Sequence, residues 1–544
     1  MPKSLRCFRA CVAACLLLAI PPARADNYPR QPAIDALHYT FRVILSDADD
    51  EINAEADVTL RFLQANMTQV FLDLATPRAG KGMTVTAVTC GSAACTFEHS
   101  ADRLAIRLAS APAAGEMRDF KIMYHGTPAT GLHIAKSKFG DRTFFSWNWP
   151  TLARQWLPMI DHPSDKATSE FLVTAPSKYQ VVANGHLEEE RDLGDGRRLT
   201  HWKENVPIAS WLNNIGVAQF VSRNFGAVGG IPLQTWVFPQ DRENGIATFE
   251  TPTRQAMEFF TSHIGPFPYE KLAGVEVSGM AGGMEHASAI FYGESSVTAR
   301  PAFSLVAHET AHQWFGDSVT EKDWDDAWLS EGFATYCAAL ATEFYQGRDA
   351  FLAVMRRSRA NILGLEKRSP GVAVVHDNLP EIQNGRAPVA IVYQKGGYAL
   401  HMLRGVIGTN KFWAGLREYY RRYRDSNAST DDFRHVMEEA AGQDLTWFFR
   451  QWLYRAGSPV VRGIWSYDPA AGEVTIELEQ TQDGEVFRLP LDVAVSVEGA
   501  TPVVHRLEFG ERTQKFAIKW EKPPSAVELD PDAYVLMDAT FTRR

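Results

Sequence analysis

The segment that decides the fold is HETAH at 308–312, followed by WLSEGFA at 328–334. On a helix, residues four positions apart lie on one face, so His308 and His312 can direct both imidazoles at one metal ion. Glu331, after eighteen intervening residues, can reach the same ion from the next helix. Two histidines and a glutamate leave the fourth position for water, as in a catalytic zinc site. Glu309, off the ligand face, is placed to take a proton from that water.

The alternative interpretation of this segment is a surface helix that carries two unrelated histidines. The added Glu331 and the apolar residues around both motifs argue against it. We therefore predict one zinc ion per chain, held by His308, His312 and Glu331, with Glu309 as the general base.

The first residues form a basic start, an apolar core from Cys11 to Ile20, and Ala23-Arg24-Ala25. This pattern predicts a secretory signal peptide over residues 1–25, and hence a periplasmic or secreted protein. The apolar core continues past Cys15, which disfavours a lipoprotein anchor. The apolar core is too short to span a bilayer, and no later stretch is long enough, so we predict no integral membrane segment after signal removal.

Removing the predicted signal lowers Lys plus Arg from 55 to 51 against 65 acidic residues, a net charge of −14. This charge argues against nucleic acid or an anionic membrane as a partner. Three of the six cysteines leave with the signal. In an oxidising compartment we expect Cys90 and Cys95 to form a disulfide across a tight turn, and Cys337 to be a buried free thiol.

At 544 residues the chain exceeds what one hydrophobic core usually serves, so several domains are expected. Short alternating segments such as Ala54–Phe62 predict antiparallel strands up to about Ala218. Helical periods then dominate, including Ala302–Phe315, Asp326–Tyr345 and Tyr398–Ile407, and alternation returns after Gly457. The predicted fold is multidomain α+β: an N-terminal antiparallel β domain (26–220), a mixed catalytic domain (221–457) and a C-terminal β-sandwich (458–544).

Two further segments bear on the chemistry. Upstream of the zinc helix, Gly282, Gly283, Met284, Glu285 and His286 follow a strand-like stretch, and glycines let an extended peptide approach such an edge. Read alone, this segment is more often a Gly-rich turn with an exposed acid. Downstream, Tyr393 offers a phenol that can donate to an oxyanion, although most such tyrosines serve in packing.

Together, these motifs in this order resemble the aminopeptidase N and leukotriene hydrolase family of zinc peptidases, a gluzincin family. The family pattern is Gly-x-Met-Glu-Asn, then H-E-x-x-H, a glutamate in W-L-N-E-G-F-A, and Tyr-Glu-Lys-Gly. The resemblance implies a thermolysin-like catalytic domain and a peptide substrate with a free N-terminus. It implies that Glu285 binds the α-amine, that Tyr393 stabilises the oxyanion, and that Met284 borders the pocket for the first side chain.

The chain departs from this pattern at several positions. His286 replaces Asn, and we expect its ring to hydrogen-bond locally rather than to bind metal. Trp147 and Trp149 occupy the positions of a Gln and a Glu that usually help to hold the amine. If that alignment holds, an aromatic-walled pocket favours apolar or aromatic first residues. The family's additional C-terminal helical domain is not expected here, which predicts a more open site.

The predicted function is a zinc aminopeptidase. One alternative is a zinc endopeptidase, because the metal motif alone does not fix which bond is cut. Another is a non-catalytic peptide-binding protein on the same fold. The sequence indicates neither the oligomeric state nor the preferred first residue.

Overall fold

A computed structural model describes residues 26–385 and 389–544. The predicted signal peptide lies outside these residues. The described chain forms a β-rich N-terminal part, a helical central part and a β-rich C-terminal part. This is the multidomain α+β arrangement that the sequence predicts.

The N-terminal part contains an eight-stranded, a four-stranded and a three-stranded sheet. The eight-stranded sheet has the order β13-β14-β11-β1-β2-β8-β4-β5, the four-stranded sheet β12-β15-β10-β9, and the small sheet β3-β7-β6. The strands are β1 (Ile34–Ile44), β2 (Ile52–Phe62), β3 (Gln69–Asp73), β4 (Gly82–Cys90), β5 (Ala93–Ala94), β6 (Phe97–Ser100), β7 (Arg103–Arg107), β8 (Met117–Thr127), β9 (Leu132–Lys136), β10 (Arg142–Ser146), β11 (Lys166–Pro176), β12 (Gln180–Ala183), β13 (His186–Asp192), β14 (Arg197–Ala209) and β15 (Ile215–Ala218).

The expectation of a purely antiparallel N-terminal domain was wrong at one place. Strand β1 pairs with β11 in parallel, with His38 opposite Thr168. The long connection between these two strands includes other strands of the domain, which gives the chain room to return in the same direction.

The central part combines a five-stranded sheet with the longest helices. Its sheet has the order β16-β17-β18-β20-β19, and β21 pairs with β22. Every residue of β18 and β20 is buried, as expected for strands that are covered on both faces. The strands are β16 (Val221–Val228), β17 (Ile231–Val237), β18 (Leu272–Val277), β19 (Gly283–Met284), β20 (Ala289–Gly293), β21 (Val319–Glu321) and β22 (Ser426–Ala428).

The helices of this part are α1 (Arg242–Gly245), α2 (Thr251–His263), α3 (Phe303–His312), α4 (Trp328–Gln346), α5 (Arg348–Arg368), α6 (Leu379–Gln383), α7 (Val389–Ile407), α8 (Thr409–Tyr423), α9 (Thr430–Ala441) and α10 (Thr446–Trp452). Helices α4 and α7 approach closely because two glycines face each other. A Cβ on Gly332 would lie 2.8 Å from the backbone carbon of Gly396. This contact sets the start of α4 against the residues around Tyr393.

The C-terminal part has a four-stranded sheet, β27-β24-β23-β29, and a three-stranded sheet, β26-β25-β28. This pair of sheets fits the predicted β-sandwich. The strands are β23 (Val460–Asp468), β24 (Glu473–Gln480), β25 (Leu489–Ser496), β26 (Val503–Phe509), β27 (Thr513–Lys519), β28 (Ala526–Leu529) and β29 (Asp538–Arg543).

The cysteine predictions are confirmed. Cys90 and Cys95 form a disulfide, and Cys337 is buried and free. Within residues 26–385 and 389–544, none of the helices combines the length and apolar character needed to cross a membrane.

Candidate metal and peptide site

Helices α3 and α4 bring the three predicted metal ligands together. The Nε2 atoms of His308 and His312 lie 3.2 Å apart. Glu331 Oε2 lies 3.6 Å from His308 Nε2 and 3.4 Å from His312 Nε2. Ligands held at zinc's usual bond lengths in a tetrahedron are about 3.3 Å apart, so these spacings fit zinc.

The electrostatics of Glu331 also fit a ligand. Its Oε2 atom is buried and has no hydrogen-bond partner among the described residues. Burial opposes ionisation, but the attraction of His312 and His308 for the charged carboxylate outweighs it and lowers the pKa of Glu331 to about 2. Glu331 is therefore an anion that a metal ion can bind.

Two groups orient the ring of His312. Its Nδ1 atom lies 3.2 Å from the carbonyl oxygen of Phe315 and 3.1 Å from Ser330 Oγ. Because the carbonyl oxygen can only accept, Nδ1 carries the proton and Nε2 is left free for the metal. The family pattern has Asn at position 330, and the sequence alone does not indicate that Ser330 contacts His312.

Glu309 lies beside the metal ligands, with its carboxyl group against the Gly283 backbone. A Cβ on Gly283 would lie 2.4 Å from Glu309 Cδ, so this position has no room for a side chain. Burial raises the pKa of Glu309 well above its usual range, and the neighbouring Glu285 raises it further. One carboxylate oxygen each from Glu285 and Glu309 and a ring nitrogen of His312 lie within 4.8 Å of one another.

Glu285 follows the short strand β19 and points towards the same place. Its Oε1 atom lies 4.0 Å from His312 Nδ1. This oxygen is buried and lacks a hydrogen-bond partner in the part of the chain that the structure describes. The segment is therefore not the exposed turn that its glycines alone would suggest. Gly282 has a positive φ of 76°, and Met284 is buried beside Glu285.

His286 differs from the expectation. Its ring is fully buried and packs edge-on against Phe291, with ring centroids 4.8 Å apart. Neither ring nitrogen has a hydrogen-bond partner among residues 26–385 and 389–544, so the predicted local hydrogen bond is not present. Burial lowers the pKa of His286 to about 3, and the ring is neutral. It belongs to neither group of possible metal ligands found in the described residues.

Tyr393 lies on α7, opposite the metal ligands. Its ring is parallel to that of His308, with centroids 6.3 Å apart. Burial raises the pKa of the Tyr393 phenol well above its usual value, and the Glu331 carboxylate adds to the effect. The phenol therefore keeps its proton and can donate a hydrogen bond.

The two tryptophans are partly buried, as packed aromatic groups. The Trp147 ring lies 6.3 Å from that of His133, and the Trp149 ring meets Trp324 edge-on at 6.3 Å. The indole nitrogen of Trp147 has no hydrogen-bond partner within the described ranges. These side chains cannot supply the carboxylate that the family pattern has at position 149.

Two buried residues that follow α3 were not predicted from the sequence to lie at the site. Gln313 and Asp317 are both fully buried, and Gln313 Nε2 donates to Asp317 Oδ2 at 2.7 Å. Gln313 also donates to the backbone of Glu285. A polar residue directly after His312 was the available signal, but a sequence does not show where such a side chain points.

Comparison with known proteins agrees with this geometry. The Peptidase M1 N-terminal domain matches residues 35–212, and the Peptidase family M1 domain matches residues 249–452. The chain belongs to peptidase family M1. The second match contains the three predicted metal ligands, Glu309 and Tyr393, and members of this family use one zinc ion.

Curated relatives of this M1 chain include aminopeptidases. Glutamyl aminopeptidase from Bos taurus is 29% identical over 330 residues, which are 57% of this chain and 34% of the relative. Probable aminopeptidase 2 from Sulfurisphaera tokodaii is 27% identical over 365 residues, which are 63% of this chain and 45% of the relative. The chain thus spans less than half the length of these relatives.

A solved structure supports the M1 fold. A mutant of an M1 zinc metallopeptidase from Deinococcus radiodurans matches with a TM-score of 0.67 and 23% sequence identity. The match covers 78% of this chain and 95% of that one.

Proposed function

We propose that this M1 chain is a zinc aminopeptidase that removes N-terminal residues from peptides. The observation that carries the proposal is the carboxylate oxygen Oε1 of Glu285, which is buried beside the predicted metal ligands and lacks a hydrogen-bond partner among the described residues. A buried carboxylate needs a positive partner. The α-ammonium group of a peptide would supply one next to the predicted metal ligands.

The metal centre and Glu309 provide the hydrolytic chemistry. His308, His312 and Glu331 would hold the zinc ion, which would supply a Lewis acid that lowers the pKa of a bound water molecule. Glu309 accepts the proton of the attacking water at its carboxylate and then delivers it to the leaving amine. Its carboxyl group packs against the Gly283 backbone, which supports a fixed orientation of this base.

Tyr393 completes the site as a hydrogen-bond donor. Its protonated phenol donates to the oxygen that becomes negative when water adds to the peptide carbonyl. Removing one donor of this kind costs about 2.7–4 kcal/mol of transition-state stabilisation. Because the phenol is on α7 and the ligands are on α3 and α4, the packing of these helices sets the width of the site.

For specificity, we propose a preference for apolar or aromatic first residues. Trp147 and Trp149 stand where the family pattern has a Gln and a Glu, and Met284 is buried next to Glu285. Large apolar surfaces favour apolar side chains. We further propose that the protein is exported, which the signal-peptide pattern and the Cys90–Cys95 disulfide support.

The test uses aminoacyl-4-nitroanilides with Leu, Phe, Glu and Arg as the amino acid, with and without a zinc chelator. Glu309→Gln is expected to retain one zinc per chain and to lose about 10²–10⁴-fold in kcat. Glu258→Gln, an exposed glutamate on α2, is the matched control and should retain full activity. Full activity of Glu309→Gln, or chelator-resistant turnover, would contradict the proposed chemistry.

A further inference from the structure

The loop that carries Glu285 is anchored by the residue directly after a metal ligand. Gln313 follows His312 at the end of α3, and it is fully buried. Its Nε2 atom donates to the carbonyl oxygen of Glu285 at 2.9 Å, and Oε1 accepts from the backbone N–H of Ser288 at 2.8 Å. One side chain therefore holds both ends of the turn that follows Glu285.

The other side of Gln313 is fixed as well. Nε2 also donates to Asp317 Oδ2 at 2.7 Å. The backbone around Asp317 is held in turn by Lys166, whose Nζ donates to the carbonyl oxygens of Asp317 and Ser318, each at 2.8 Å. The amide of Gln313 has one orientation that satisfies all these partners, so it cannot rotate without losing hydrogen bonds.

The N-terminal part of the chain also holds this loop. Asn184 Nδ2 donates to the carbonyl oxygen of Ala287 at 2.7 Å, and Asn214 Nδ2 donates to that of Ala289 at 2.8 Å. These contacts hold the part of the loop that follows His286. Gln313 alone among these side chains bonds the backbone of Glu285 itself, and it does so from the position directly after His312.

We propose that Gln313 is a positioning residue that sets the distance between the metal ligands and the Glu285 carboxylate. Consecutive Cα atoms are 3.8 Å apart, so the Gln313 amide moves with His312 and transmits its position to Glu285. The inference rests on the proposed amine-binding role of Glu285. It adds that Gln313 fixes where the peptide's amine lies relative to the metal site, and so which bond is cut.

The alternative is a purely structural role, in which Gln313 only satisfies buried backbone groups. The two roles differ in what a substitution changes. A displaced Glu285 weakens binding of ligands that carry an amine, whereas general destabilisation affects melting temperature and leaves the relative affinity of two ligands unchanged. A misplacement of about 1 Å can cost on the order of 10²-fold in a well-oriented site.

The experiment measures, by calorimetry on the zinc-loaded mature chain, the Kd of leucine hydroxamate and of N-acetyl-leucine hydroxamate. Their ratio reports the amine contact. Gln313→Met keeps the side-chain volume and removes the hydrogen bonds. It is expected to reduce the preference for the free amine by about 10-fold, equivalent to 1.4 kcal/mol, with unchanged zinc content.

The matched control is Gln480→Met in the C-terminal part. Gln480 is also fully buried, and it also bonds backbone on both sides of its amide, at Phe487. It should lower the melting temperature and preserve the ligand preference. If Gln313→Met does not fold, Gln313→Glu replaces it, because this variant keeps the acceptor for Ser288 and loses the donor for Glu285.

An unchanged preference for the free amine in a folded Gln313 variant would overturn the proposal. Loss of zinc in both Gln313→Met and Gln313→Glu would also overturn it, because the side chain would then stabilise the metal-binding helix rather than position Glu285. The failure of the proposed function looks different. If the wild type itself does not prefer the free amine, the amine site and the positioning role fall together. If Glu285→Ala abolishes the preference and the Gln313 variants do not, only the positioning role falls.

Discussion

Glu285→Gln removes one charge from a buried position and keeps its shape. In the free protein Glu285 Oε1 has no hydrogen-bond partner within the described residues, and burial is the main reason that its pKa is raised. We expect the ammonium group of the substrate to supply the missing partner. The neutral amide cannot form that ion pair.

The magnitude follows from the burial of this pair. Removing one partner of a buried, hydrogen-bonded charge pair costs about 2–5 kcal/mol, which corresponds to roughly 30- to 5,000-fold in kcat/KM. Trp147 and Trp149 provide no second carboxylate, so the loss should fall in the upper part of that range. If another carboxylate in the site bound the amine instead, the loss of kcat/KM would be smaller.

The assay compares two readouts on one variant. The first is kcat/KM for leucine 4-nitroanilide, and the second is the affinity for acetohydroxamate, which has a metal-binding group and no amine. We expect the first to fall and the second to stay unchanged. Glu321→Gln is the matched control, because Glu321 is also buried, has an unpartnered Oε2 among the described residues and lies outside the two groups of possible metal ligands found there.

The reasoning would be refuted if kcat/KM fell by less than about 3-fold, which is below 1 kcal/mol. Equal losses of kcat/KM and acetohydroxamate affinity would also refute it. In that case the substitution would have disturbed the metal centre rather than the amine contact.

The other predictions concern three residues that contact or position the groups of the site. Tyr393→Phe should lower kcat by about 10²-fold or more with little change in KM, and a rise in KM alone would instead indicate a binding role. Ser330→Ala removes a contact to His312 Nδ1 and should weaken zinc affinity by up to about 10-fold, as measured by competition with a chelator. An unchanged zinc affinity would mean that this hydroxyl has no role in orienting His312. Gly332→Ala places a Cβ 2.8 Å from the Gly396 carbon; thermal unfolding should show a loss of about 1–3 kcal/mol, and an unchanged melting temperature would mean that α4 and α7 separate freely.

The grouping of His308, His312 and Glu331 could be predicted from the sequence because each of the two motifs that supply these residues is local. The spacing of His308 and His312 fixes them on one helical face, and Glu331 belongs to a motif that starts the next helix. The disulfide was predictable for a similar reason, since Cys90 and Cys95 flank a short turn. In each case a short stretch of chain determines the distance between the groups.

Other features depend on long-range packing and were not predictable. The sequence pattern predicts a helix over Tyr398–Ile407, whereas α7 begins at Val389 and already includes Tyr393, Gly396 and Gly397. The structure shows why glycine is used there: the backbone of α4 lies against it. The parallel pairing of β1 and β11 is likewise a contact between distant segments.

The polar contacts around Glu285 belong to the same class. Gln313 and Asn214 bond backbone groups whose positions only the folded chain defines. The ring of His286 was expected to bond locally, but it is enclosed beside Phe291 with no partner in the described part of the chain. Side-chain direction in a core is decided by the surrounding elements, which residue type alone does not reveal.

The central claim is that a zinc site beside a buried carboxylate removes residues from the amino end of a peptide. The most direct measurement is mass spectrometry of one unlabelled decapeptide, with a free or an acetylated N-terminus, during incubation with the zinc-loaded mature chain. The account predicts stepwise loss of N-terminal residues from the free peptide and no cleavage of the acetylated one. Internal fragments, or equal cleavage of both peptides, would contradict it.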